Sequence, residues 1–182
     1  MLSQIIFALS LAAGGMGQAL PEGYRQVLIT SAWNAKFVVQ PVAPVKSGNQ
    51  SEISHDPRTF LNPITDLNNQ TSKTSTNAPE QQWYLKSNAT KIQVANTTLC
   101  LDAGTARSNG SPLTVATCAD DKASQKWVYN ADSQIVLDTA SGAKLCADLY
   151  TGAVRDNTRI VLWQCIKGDK NHVWMAQNIT AT

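Results

Sequence analysis

Few side chains in this 182-residue chain are equipped for chemistry, and their spacing limits what they can do. There are four cysteines (Cys100, Cys118, Cys146, Cys165) and two histidines (His55, His172). A zinc site needs thiolates or imidazoles gathered into tetrahedral reach. No CxxC pair supplies them here, so no metal is expected. The histidines belong to no catalytic motif, and neither HExxH nor GxSxG occurs, so neither an enzyme nor a cofactor is indicated. More telling are two carboxylates at matched places. Asp102 and Asp148 each stand two residues after a cysteine. The second is followed by an aromatic, Trp163, and an amide, Asn171. That set offers a hydrogen-bond acceptor, a flat apolar face, and a group that both donates and accepts.

The cysteines are read through the compartment. Ile5 to Ala13 is a short apolar run followed by small residues and Gly17-Gln18-Ala19. This reads as a secretory signal peptide over residues 1–19, cut near Ala19, with Gly17 as the rival site. The run is too short to span a bilayer comfortably, and no later segment does better. Secretion favours disulfides. Sequential pairing, Cys100–Cys118 and Cys146–Cys165, closes loops of similar size, with separations of 18 and 19. Six Asn-x-Ser/Thr sequons, at Asn49, Asn69, Asn88, Asn96, Asn109 and Asn178, also suit a secreted glycoprotein. The formal charge is +2 with scattered basic residues, which does not make a nucleic-acid-binding stripe.

The elements that must position these residues repeat themselves. Residues 97–127 align with 143–174: Cys100 with Cys146, Asp102 with Asp148, Cys118 with Cys165 and Trp127 with Trp174, at offsets of 46, 46, 47 and 47. A worn third copy ends at Gln81-Gln82-Trp83. Upstream, residues 35–40 resemble 143–148, and Phe37 is read at the place of the first cysteine and Val39 at that of the aspartate. This first copy is longer by 18 or 19 residues, an insertion placed in the polar stretch Lys46 to Glu80 and read as loop. Phe60, Leu61, Ile64 and Leu67 could pin part of it. Within the copies, residues 91–95, 113–117, 134–138 and 159–163 are short, β-branched segments bounded by turn residues, and no long 3.6-residue stripe appears. The expectation is an all-β body over residues 20–182, a single domain in which three repeats share one core.

Three repeats of this length, ending in Gln-Gln-Trp (81–83), Gln-Lys-Trp (125–127) and His-Val-Trp (172–174), resemble the ricin B-type lectins, also called family 13 carbohydrate-binding modules. The openings Cys100-Leu101-Asp102 and Cys146-Ala147-Asp148 match as well, while His172 departs from the motif. The resemblance covers roughly Tyr24 to Trp174. It implies a β-trefoil whose motif tryptophans, Trp83, Trp127 and Trp174, are core residues. It also implies a sugar site in each repeat, built from an aspartate, an aromatic and an asparagine.

Scored by repeat, the last fits best. Asp148 takes the carboxylate position, Trp163 the stacking position two before Cys165, and Asn171 the amide position before His172. Strand alternation puts Ile160 and Leu162 on the core face and Val161 and Trp163 on the ligand face, so Val161 and His172 join the expected site. The middle repeat keeps Asp102 but has Thr114, Ala116 and Ser124 before Gln125, and is expected to be a weak or relic site. The first repeat is expected to have lost its site. On this resemblance the chain is expected to be an extracellular lectin for glycans, galactose-type by family, with one working site. The competing expectation is a trefoil with relic sites that binds a protein through its loops, as protease inhibitors of this fold do. Asp102 and Asp148 lie in different lobes of such a body, which argues against a glycosidase pair.

Overall fold

The computed structural model describes residues 20–41, 61–66, 78–139, 142–154 and 158–179. Residues 1–19, expected to be a signal peptide, His55, Phe60, Leu67 and the sequons Asn49 and Asn69 lie outside the described residues. Among those described there are thirteen strands and no α-helix: β1 Arg25–Ser31, β2 Asn34–Pro41, β3 Leu61–Asp66, β4 Gln82–Leu85, β5 Asn88–Thr90, β6 Gln93–Val94, β7 Leu99–Asp102, β8 Thr114–Thr117, β9 Trp127–Tyr129, β10 Ile135–Leu137, β11 Leu145–Leu149, β12 Ile160–Gln164 and β13 Trp174–Asn178. The short β-branched segments become strands as the sequence expects: β6, β8 and β10 fall within them, and β12 runs one residue past its segment.

One sheet runs β3-β2-β1-β4-β6-β7-β8, with β13 also on β1, and a second runs β12-β11-β10-β9-β5. The Lys46–Glu80 stretch departs from the loop expectation, because Leu61–Asp66 pairs with β2. Pro63 is tolerated there because β3 ends the sheet path, and an edge strand has one side on which a missing N–H costs little.

The core is organised by the three motif tryptophans, each no more than 1% exposed. Each indole N–H donates to a backbone carbonyl of its own repeat: Trp83 to Val39 at 2.9 Å, Trp127 to Leu101 at 3.0 Å and Trp174 to Ala147 at 2.9 Å. The polar atom of each buried ring is thus satisfied, as burial demands. These three bonds also fix the true register of the repeats. Val39, Leu101 and Ala147 are equivalent, which is the register in which Ala35-Lys36 matches Ala143-Lys144, and the sequence reading of Phe37 and Val39 is one residue too early. Val38 stands at the cysteine position, and Gln40, not Val39, stands where Asp102 and Asp148 stand. Both disulfides form as expected, Cys100–Cys118 and Cys146–Cys165, each clipping a neighbouring strand pair, β7–β8 or β11–β12.

Candidate functional site

Each motif residue rides on a single 3₁₀ turn, Pro79–Gln81, Ala123–Gln125 or Lys170–His172, followed by one extended residue and the tryptophan. The turn carries its last residue under the carboxylate position of the same repeat. In the middle repeat Gln125 Nε2 donates to Asp102 Oδ2 at 2.9 Å, and Gln125 Oε1 accepts from Ala119 N at 2.8 Å. His172 reproduces both bonds. Its Nε2 lies 3.0 Å from Asp148 Oδ2, and its Nδ1 accepts from Ile166 N at 3.3 Å. In the first repeat Gln81 Nε2 donates to Gln40 Oε1 at 3.1 Å. The histidine is therefore a substitute for the motif glutamine that keeps its bonding and adds a titratable ring.

This geometry corrects two sequence expectations. His172 is fully buried, so it braces Asp148 from beneath and cannot touch a ligand; Gln125 is equally buried under Asp102. Val161 is also fully buried. Alternation assigned it to an open face; along the edge of β12 the middle repeat pairs with it, Gly110 N donating to Leu162 O at 2.8 Å, Leu162 N to Ser111 O at 2.7 Å, and Pro112 bridging Val161. Gln164 N is likewise capped by Asn109 Oδ1 at 2.7 Å. Trp163, past the bridge, is half-buried, and a Cβ added at Gly110 would meet its ring at 3.9 Å.

The two carboxylates then differ. Asp102, 1% exposed, accepts from Gly104 N at 2.7 Å and from Gln125, and Lys122 Nζ sits 2.6 Å from its Oδ2. Burial raises its pKa, but Lys122, Gln125 and Gly104 together outweigh it and hold the carboxyl below the ordinary value. Thr114 stands opposite Asp102 and gives its hydroxyl to the Asp102 carbonyl at 3.3 Å, while Ser124 is buried.

Asp148 has one such partner among the described residues, His172. The backbone N–H that would match Gly104 belongs to Tyr150, and it donates to Arg159 O at 3.1 Å instead. The residue that would match Lys122 is Asp169, which cannot pair with a carboxylate; its Oδ1 accepts from Asn171 N at 2.9 Å. For His172, burial disfavours the imidazolium, but the hydrogen bond and charge of Asp148 prevail and raise its pKa above the ordinary histidine value. Ligand atoms of Asp148, Asp169 and His172 lie within 4.8 Å of one another. Asp169 Oδ1 and His172 Nδ1 already accept from backbone N–H groups, and His172 Nε2 is paired with Asp148, so the group is an internal network.

Asn171 is held from two sides. Its Oδ1 accepts from Trp33 Nε1 at 2.9 Å. On the other side lies the 3₁₀ turn Tyr150–Gly152, where Gly152 has φ +65° and a Cβ would fall 2.8 Å from Asn171 Oδ1. Trp33, on the β1–β2 turn, is the contact that the sequence reading missed. Nothing local marks it, because it reaches the last repeat only through the closure of β1 against β13.

Residues 64–174 match the model of the ricin-type beta-trefoil lectin domain, and the chain belongs to this family. Solved structures agree in fold. PSL1a in complex with E64 aligns at TM-score 0.59 and 16% identity, covering 86% of this chain and 49% of that one. The C-half of the earthworm R-type lectin in complex with GalNAc aligns at 0.58 and 14% identity, covering 85% and 99%. A non-toxic homologue of type II RIPs from Momordica charantia, in complex with α-methyl-D-galactoside, aligns at 0.57 and 16%, covering 85% and 48%. The chain thus spans about half the length of the first and third of these. No curated protein matches the sequence.

Proposed function

We propose that this chain is a secreted, non-catalytic lectin whose working sugar site lies in the last repeat. Asp148 accepts hydrogen bonds from vicinal hydroxyls, Trp163 covers an apolar ring face, and Asn171 adds donors. The observation that carries this reading is the contrast between equivalent carboxylates. Both carboxylates are buried, but Asp102 is closed by three donors from its own repeat, whereas Asp148, 5% exposed, is braced by one and keeps acceptor capacity without a partner among the described residues. Family membership and the sugar complexes of the neighbours support carbohydrate as the ligand class, and N-acetylgalactosamine and a galactoside in two of them favour a galactose-type sugar. A few hydrogen bonds, at about 1.5–3 kcal/mol each to a charged acceptor and less otherwise, give a site worth roughly 4–5 kcal/mol after losses. That corresponds to a dissociation constant on the order of a millimolar. One such site per chain does not cross-link cells.

A glycan array followed by titration of the best binder tests this. Asp148→Asn keeps an acceptor for His172 but loses the charge, and should weaken binding at least about tenfold. Trp163→Ala should weaken it strongly, and Asp102→Asn should leave it near the parent's value. If Asp102→Asn loses the glycan and Asp148→Asn does not, the wrong repeat has been chosen. If neither matters, the sugar sites are relics and the chain binds a protein instead.

A further inference from the structure

Trp33 is a large aromatic side chain with half its surface in solvent, and the core does not need it. It sits on the turn between β1 and β2, in the first repeat, whose own carboxylate position holds Gln40. Its place is nonetheless fixed from the last repeat. Ser31 pairs with Trp174, Ala32 N donates to Val173 O at 3.1 Å, and the indole N–H donates to Asn171 Oδ1. The ammonium of Lys170 lies 5.1 Å from the ring centroid. His172 thus lies buried beneath Asp148, Asn171 precedes it on the same turn, and Trp33 meets Asn171 at the surface.

We propose that Trp33 extends the Asp148 site into a second subsite, which takes the next ring of a glycan whose terminal ring is held at Asp148. This rests on the sugar-binding reading above and deepens it: the preferred ligand has two rings or more, and the site is a composite of two repeats. The chemistry of the surroundings favours a sugar over a protein surface. Trp33 is an exposed aromatic beside Asn34, Asn171 and Lys170, which offers an apolar face bordered by hydrogen-bonding groups. A sugar ring has the same make-up, a C–H face with a hydroxyl rim, whereas a protein hot spot is an aromatic within a wider desolvated patch. The indole bond has a second consequence. With Oδ1 of Asn171 given to Trp33, the NH₂ end of that amide is the end left for a ligand, so it selects acceptor oxygens.

Titration calorimetry of the full-length secreted protein with methyl galactoside and with lactose tests the proposal. The parent should bind lactose about tenfold more tightly than methyl galactoside, the scale that one aromatic contact supports. Trp33→Ala should erase that margin while weakening methyl galactoside by no more than about threefold, the share due to losing the Asn171 bond. Trp33→Phe keeps a ring but no N–H, so it should share the small loss and retain most of the lactose margin; it also serves if the alanine variant does not fold. Equal binding of the two sugars by the parent, or an equal loss of both in Trp33→Ala, overturns the second subsite. Asp148→Asn separates this from the underlying reading. If it binds both sugars as the parent does, or if the parent binds neither, the galactose-type site itself is wrong.

Discussion

Replacing His172 with glutamine should leave the fold intact and remove a pH-dependent part of its stability. The structure contains its own control, since Gln125 makes the same two bonds in the middle repeat. The folded-state pKa of His172 is raised above its unfolded value, which is near 6.5. The charged ring is therefore favoured by folding. Its stabilisation is fully present below the unfolded pKa and is lost as pH rises through the folded pKa. The acceptor is charged in both states, so the step is the gain from charging the donor as well, about 1–2 kcal/mol, the spread among bonds to charged groups. Protonating Nδ1 sets it against the Ile166 N–H, a long bond at 3.3 Å, which trims the step towards about 1 kcal/mol. For a domain of this size that is about 2–4 °C in Tm. The assay is thermal unfolding of parent and His172→Gln across pH 5.5 to 9. The lowered pKa of Asp102 acts only in acid, where its contribution is lost as pH falls through that value, so it does not intrude. The parent should lose stability relative to the variant as pH rises. Parallel curves would show that Asp148 does not favour the charged ring. A parent that gains on the variant would show that burial outweighs the carboxylate.

Two further outcomes follow from the same geometry. Gly152→Ala places a Cβ in a left-handed backbone and against Asn171 Oδ1, so it should cost about 1–2 kcal/mol in thermal unfolding and weaken glycan binding by displacing the amide; wild-type affinity would show that Asn171 is not a contact. Replacing Cys100 and Cys118 together by serine frees an 18-residue separation and should cost about 3 kcal/mol in denaturant unfolding, whereas glycan titration should be little changed because the pair lies in the middle repeat.

What was legible in the sequence was whatever the repeat wrote twice. Cysteines at equal offsets fixed the disulfides, and the tryptophans at the repeat ends fixed the core. The first copy was misread by one residue because no cysteine anchors it, although Ala35-Lys36 against Ala143-Lys144 carries the right register. The indole bond to Val39 makes plain that Gln40 takes the carboxylate position. Alternation placed Val161 off the core face but could not show that it is buried there, nor that residues 109–113 of another repeat pair along the edge of its strand. The difference between Asp102 and Asp148 turns on Lys122 against Asp169, a side-chain matter that becomes visible only once the turns are superposed. Trp33 depends on contacts across 138 residues of chain.

The pairing of β1 with β13, Val27 with Asn178 through Ser31 with Trp174, also sets a timetable. The earliest described strand waits for the last. At the pace of synthesis, about 5–20 residues per second, the intervening chain takes on the order of ten seconds or more to appear. Until then β1 can pair with β2 and β4, yet its place beside β13 stands empty. The nascent protein is an open ring that closes only at its end. A chain cut short before Trp174 would lack the third motif tryptophan and leave on β1 an unpaired row of backbone donors and acceptors, which is the template on which strands of other chains assemble.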